Sequence, residues 1–261
     1  MTAPSELNGL GVLVTRPAGQ AEPLCRLVAS AGGRAIVFPS LEIAAAADPE
    51  RARARLSESW HLMVFTSRNA VEYALALGGD GRWPQTERLA AVGKATGLAL
   101  AAAGRTPDLV PPERFDSESL VALPGLADLT GKRVLIVRGE GGRALLGEVL
   151  AERGAEVRFA EVYRRVRPDL DPRPLLARWA ADVQAVTATS DEVLLNLAEM
   201  LGAEGRAALL ATPLVVISER TAETARRLGF DRVRVAERAE DTAIVRCLAG
   251  LAQPPAAHPP T

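Results

Sequence analysis

Two related α/β lobes, each a parallel sheet flanked by helices, are the architecture this sequence predicts. Three observations carry it. The chain has 261 residues, 48% of them hydrophobic, enough for two cores of about 100 to 150 residues each. Short runs rich in Val, Leu and Ile alternate with longer Ala/Leu/Arg segments of helical spacing, the pattern of βα units around parallel strands. The third is an internal repeat that spans most of the chain.

Strands are expected near residues 11–15, 34–38, 61–66, 88–92, 133–137, 156–160, 183–187, 213–217 and 232–235, with helices in most of the gaps. Trp60 and Trp179 each come shortly before an expected strand and read as matched core anchors rather than stacking platforms. The last nine residues, QPPAAHPPT, have too much proline and too little bulk to pack and are expected to be a disordered tail.

The repeat sets LVTRPAGQ beside LIVRGEGG, so that Arg16 aligns with Arg138 at a shift of 138 − 16 = 122, and Gly32 aligns with Gly154 at the same shift. Thr66-Ser67 matches Thr189-Ser190 at 189 − 66 = 123, and Thr96 and Gly104 match Thr221 and Gly229 at 221 − 96 = 125. A slowly growing offset is what small loop insertions leave in a duplicated fold. The apolar matches follow from shared propensity. The polar ones fall where strands end and helices begin, the side of an open parallel sheet on which ligands bind. Any one Ser or Thr there is explained as an N-cap; the functional claim rests on the set.

Composition excludes several classes. Asp+Glu number 32 against 31 Lys+Arg, so no strong net field draws in nucleic acid or an anionic membrane. Lys94 and Lys132 are the only lysines, which leaves guanidinium, suited to forked contacts with carboxylates, as nearly all the positive charge. Cys25 and Cys247 lie in apolar helix-like stretches without zinc or disulfide spacing and read as small core residues. With His61 and His258 as the only histidines, no transition-metal centre and no Ser-His-Asp or Cys-His set is expected. The start, MTAPSELNG, has no basic or apolar leader, and no apolar run reaches the length of a membrane span, so a cytoplasmic protein is expected. A monomer is expected because no apolar stripe is left over once the helices are assigned.

Two motifs require weighing. GEGGRA at 139–144 fits G-x-G-x-x-A after the strand RVLIV, with Glu161 at a spacing that suits a ribose contact. The matching turn, RPAGQA, begins with proline, so the glycines are not general to the repeat. An anion-binding turn at a helix start, its backbone amides free for a ligand, is the more economical reading. Tyr163 in EVYRRVRP is one of two tyrosines. It is structural by base rate, but as an exposed phenol at a hinge it would donate a hydrogen bond to a leaving hydroxyl. Tyr73, inside the helical VEYALAL, reads as packing.

The segments VLVTRP at 12–17, VFTSRNAVE at 64–72, AVGKAT at 91–96, SESL at 117–120, VLIVRGEGGR at 134–143, EVYRR at 161–165 and ERTAETA at 219–225 resemble the uroporphyrinogen-III synthase family in collinear order over residues 8 to 250. The resemblance implies two lobes joined by a two-stranded linker, Pro39–Ile43 and Glu161–Arg165. Lobe one would hold residues 1–39 and 168–261, and lobe two residues 40–167. It implies closure of hydroxymethylbilane, a linear tetrapyrrole, with loss of water and inversion of the last pyrrole ring, without a cofactor. It also implies Tyr163 as the group that assists departure of the hydroxyl. Arg16, Ser67, Thr96, Arg138, Gly139, Ser190 and Thr221 would hold the substrate's carboxylates. TATSDEV stands where the family has an F-T-S-like strand end, which bears on Thr189 and Ser190. The rival readings are a two-lobe ligand-binding regulator and a nucleotide-dependent enzyme using GEGGRA.

Overall fold

The computed structural model describes residues 6–79, 83–112, 116–142 and 144–252. They divide into two compact units. The first runs up to Glu42 and resumes at Val166; the second is Ile43–Arg165.

The first unit contains β1 (Gly11–Val14), α1 (Ala18–Ser30) and β2 (Arg34–Val37) from the start of the chain. From the later part come α7 (Arg173–Asp182), β8 (Ala185–Ala188), α8 (Asp191–Ala211), β9 (Leu214–Val216), α9 (Glu219–Leu228), β10 (Val233–Val235) and α10 (Asp241–Ala252). The sheet order is β10-β9-β8-β1-β2, and each pair is parallel. Successive strand residues face opposite sides, so GVLV and AVTA can be apolar throughout only if helices cover both faces. Both strands are wholly buried. Leu13 and Val186 pack with Trp179, Leu194 and Leu197, whereas Val12, Val14 and Ala185 pack with Leu24, Val28 and Leu248. Gly11 opens β1 because a Cβ there would lie 1.7 Å from the Asp182 carbonyl oxygen.

The second unit contains β3 (Glu42–Ala45, its first residue at the boundary), α2 (Pro49–Leu56), β4 (Trp60–Phe65), α3 (Arg68–Gly78), β5 (Thr86–Ala91), α4 (Lys94–Ala102), α5 (Ser117–Val121), β6 (Arg133–Gly139), α6 (Leu145–Glu152) and β7 (Glu156–Val166). Its sheet order is β3-β7-β6-β4-β5, with β5, β4, β6 and β7 parallel in turn. Met63 and Phe65 pack on one face with Trp60, Ala70 and Leu100; Leu62 and Val64 pack on the other with Leu120, Leu146 and Leu150.

The repeat is visible in local conformation. Gly32 and Gly154 both have positive φ, 78° and 88°, as do Gly104 and Gly229, 81° and 103°, values at which a side chain is strained. With β1, β2, β8 and β9 set against β6, β7, β4 and β5, the orders β9-β8-β1-β2 and β5-β4-β6-β7 coincide. Each sheet therefore takes its βαβ start from one half of the sequence and its other strands from the other half.

Two expectations are corrected. Residues 156–160 and 161–165 are not separate strands: β7 continues from Glu156 to Val166 without a turn, because Ala160 and Val162 remain buried in the same core. Trp60 and Trp179 are both core residues, 3% and 5% exposed, but not matched ones, since Trp60 begins β4 and Trp179 lies in α7. The proline-rich end, 253–261, lies outside the described residues. No described helix is long and apolar enough to cross a membrane.

Candidate active site

At the C-terminal end of β4 the chain turns through Thr66 and Ser67 into α3. Ser67 is extended, φ −158° and ψ 163°, and its Oγ accepts from the Ala70 N–H at 3.1 Å, which caps the helix. In the neighbouring strands, Arg138 and Gly139 end β6 and Tyr163 lies on β7. Thr66, Ser67, Ser117, Arg138, Gly139, Gly142, Tyr163 and Arg165 line a cavity of about 210 Å³ together with Ile136 and Leu146.

Of the two readings of Tyr163, the exposed phenol does not hold. The residue is 5% exposed, and a β-bulge explains why. Arg138 pairs with Glu161 but Gly139 pairs with Tyr163, so the register slips by one residue on β7. The slip breaks the alternation of faces and lets consecutive residues, Val162 and Tyr163, enter one core cluster. The Tyr163 Oη lies 3.1 Å from Ser67 Oγ, and its ring lies 5.8 Å from that of Tyr73. Tyr73 does more than pack, because its hydroxyl donates to the Ile43 carbonyl at 2.6 Å.

The glycine turn packs closely against its neighbours. A Cβ on Gly139 would stand 2.6 Å from two ring carbons of Tyr163, and one on Gly142 would stand 3.1 Å from Arg138 Cδ. The Glu140 N–H donates to the Tyr163 carbonyl at 2.8 Å, so that amide is spent within the fold. Glu161 meets Arg138 Nη2 at 2.9 Å, Arg138 Nη1 donates to the Gly142 carbonyl at 3.0 Å, and the guanidinium stacks 4.1 Å from the Phe159 ring. Gly139, Gly142 and Glu161 of the dinucleotide pattern thus have packing and ion-pair roles here. Arg138 also borders a second cavity of about 450 Å³, lined by Asp48, Arg51, Glu140, Phe159 and Glu161 among others.

In the first unit, Ser190 repeats the Ser67 geometry with φ −162° and ψ 165°, and caps α8 by accepting from the Val193 N–H at 3.2 Å. Arg16 donates to Asp241 at 2.8 Å; like Arg138 it is 15% exposed and already paired with a carboxylate. Thr221 and Thr96 each sit third in a helix and are buried. Thr221 Oγ1 donates to Asp191 at 2.6 Å, and its N–H reaches Ser218 Oγ at 3.3 Å.

The model of the family described as uroporphyrinogen-III synthase HemD matches residues 22–246. The chain is 38% identical to the uroporphyrinogen-III synthase of Salmonella typhimurium, over 92% of this chain and all of that protein. It is likewise 38% identical to the Escherichia coli uroporphyrinogen-III synthase with the same coverage. This chain belongs to the uroporphyrinogen-III synthase family. A solved uroporphyrinogen-III synthetase from Helicobacter pylori shares the fold, with a TM-score of 0.58 over 93% of this chain and 99% of that one at 15% identity.

Within this synthase-family chain the structure brings Ser67, Arg138, Gly139 and Tyr163 to one cavity. Thr96 belongs to the same unit but does not line that cavity, and Arg16, Ser190 and Thr221 belong to the other unit. The two matched sets differ in charge. α8 opens with Asp191 and Glu192 and α9 with Glu219, whereas the first turns of α3 and α4 contain no acid and begin with Arg68 and Lys94. Acidic residues neutralise the positive end of a helix dipole, so the starts of α3 and α4 keep an attraction for anions that those of α8 and α9 have lost. Sequence reading missed Ser117, which lines the cavity from α5, and Ser218, the cap of α9. The S-x-x-T spacing of SERT was the signal for Ser218; Ser117 stood in SESL, with nothing in the sequence to place it near Tyr163. Burial pushes the thiols of Cys25 and Cys247 up, away from the nucleophilic thiolate.

Proposed function

We propose that the protein is a uroporphyrinogen-III synthase that closes hydroxymethylbilane with loss of water and inversion of the last pyrrole ring. Family membership supports the reaction. The observation that supports the site is the Tyr163 phenol on a 210 Å³ cavity, 3.1 Å from Ser67 Oγ. The phenol donates its proton to the departing hydroxyl, which leaves as water. The resulting cation on the methylene carbon is attacked by the already substituted α-carbon of the last ring to give a spiro intermediate. The bond from that carbon to its original methylene then breaks, this methylene rejoins the ring at its free α-carbon, and the proton released there as aromaticity returns goes back to the phenolate.

The substrate can lose its hydroxyl and close unaided, to the other isomer, so holding a folded conformer is the main task. Its carboxylates are met by Arg138, Gly139, Ser67 and Thr96 in the second unit and by Arg16, Ser190 and Thr221 in the first. The acid-free starts of α3 and α4 support the larger share for the second unit. The two ion-paired arginines exchange their carboxylate partners for those of the substrate. The reading includes a lyase class, a monomeric state, a cytoplasmic location and no metal or nucleotide.

Freshly prepared hydroxymethylbilane, incubated with the protein and resolved into isomers I and III, tests it. Isomer III as the main product is expected. Isomer I alone, formed at the unassisted rate, overturns the proposal.

A further inference from the structure

We infer that Gly139 and Ser67 are positioning residues that act through Tyr163, an inference that rests on the role proposed for the phenol. Beyond the backbone that Gly139 would offer an anion, it contributes the absence of a side chain. A Cβ there would fall 2.6 Å from Cε2 and Cζ of Tyr163 and 3.0 Å from its hydroxyl oxygen. These are distances at which the ring must move, and it has little room to do so. The bulge fixes the backbone, with Gly139 opposite Tyr163 and the Glu140 N–H on the Tyr163 carbonyl at 2.8 Å. Tyr73 stands 5.8 Å from the ring.

Ser67 holds the other end. Its Oγ accepts from Ala70 at 3.1 Å and lies 3.1 Å from the phenol oxygen. Either hydroxyl can donate across this contact; with the Ser67 hydrogen turned to the phenol oxygen, the phenol hydrogen is left for the substrate. The chain of donors then runs from the start of α3 through Ser67 and Tyr163 into the cavity. The glycine admits the ring and the serine sets the hydroxyl. Neither has to touch the substrate to affect the rate.

The test is a set of double-mutant cycles on turnover of hydroxymethylbilane, with KM and the isomer ratio measured throughout. Gly139→Ala is expected to lower kcat to within about 3-fold of Tyr163→Phe while KM changes by less than about 2-fold, the split that marks loss of an interaction made in the transition state. In the Tyr163→Phe background, Gly139→Ala and Ser67→Gly should lower kcat no further, since the hydroxyl they position is gone, while any contact they make with a substrate carboxylate shows in KM alone. Ser67→Gly removes the hydroxyl but keeps a residue nearly as good at an N-cap, so it carries the test if Gly139→Ala does not fold. In a Tyr163→Ala background the Gly139→Ala methyl group has room, and the double variant should fold.

Losses in kcat that multiply in the Tyr163→Phe background, or full turnover in both single variants, overturn the inference and leave the phenol's role standing. Wild-type turnover in Tyr163→Phe overturns the phenol's role and this inference with it.

Discussion

Tyr163→Phe keeps the ring that fills the space over Gly139 and deletes only the hydroxyl that meets Ser67. Stability should fall by about 0.5 to 1.5 kcal/mol, the net worth of one hydrogen bond. Turnover to isomer III should fall roughly 10- to 30-fold, below the usual range for a positioned general acid because the leaving group can depart unaided. Paired kinetics and thermal unfolding separate the two effects; unchanged turnover with lowered stability would make the residue structural. Tyr73→Phe is not silent either, since its hydroxyl donates to the Ile43 carbonyl at 2.6 Å. A loss of about 1 kcal/mol is expected in denaturant unfolding. At this scale the sequence marked Tyr163 but left its exposure open, because a bulge depends on the pairing of two strands 23 to 24 residues apart, Arg138 with Glu161 and Gly139 with Tyr163.

The Ser67 and Ser190 caps have the same backbone angles within a few degrees and the same i to i+3 bond, so their substitutions form a controlled pair. Ser190→Ala should cost about 1 kcal/mol and Ser190→Gly only a few tenths. The loss should appear as a lowered unfolding midpoint with an unchanged denaturant slope. Equal midpoints for Ala and Gly would show that the cap bond contributes little. Ser67→Ala should show a similar stability loss together with a fall in turnover that Ser190→Ala need not share. Caps of this kind were legible because Thr-Ser followed by a helical pattern is a local signal. The acid on α8 and its absence from α3 were legible too, as Asp191 stands where Arg68 does in the other half.

At the scale of the whole molecule, the sequence repeat and the folded unit differ. Residues 43–165 contain β4, β5, β6 and β7 and two faces of buried side chains, so this stretch expressed alone should unfold cooperatively. A fragment of residues 1–122, the first repeat, should not, because it holds β1 and β2 without β8 and β9, and β4 and β5 without β6 and β7. Circular dichroism on thermal melting distinguishes them. Charge sets the response of the full chain to acid. A hydrogen bond from Arg178, with a second from Arg34, holds Asp182 below its ordinary 3.8. Burial alone would raise Glu58, but Arg55 and Arg133 hold it below 4.5. Carboxylates depressed in the folded state contribute stability that is present above their unfolded values and lost as pH falls through the folded ones. The melting temperature should therefore be flat above about pH 5 and drop below pH 4, less steeply in Arg178→Ala, which removes the first partner of Asp182.

The sequence by itself determined the alternation of strands and helices, the duplication, the candidate turn residues and the family, because periodicity, caps and collinear motifs are properties of short stretches or of their order. Only the tertiary structure decided that Tyr163 is buried, that a Cβ on Gly139 would meet the Tyr163 ring, and that Arg16 and Arg138 are already paired with Asp241 and Glu161. The physical reason is range. Each of these facts is a steric or electrostatic contact between different elements, up to 225 residues apart in the case of Arg16 and Asp241, and no local pattern in the chain encodes which side chains the folded sheet will set against one another.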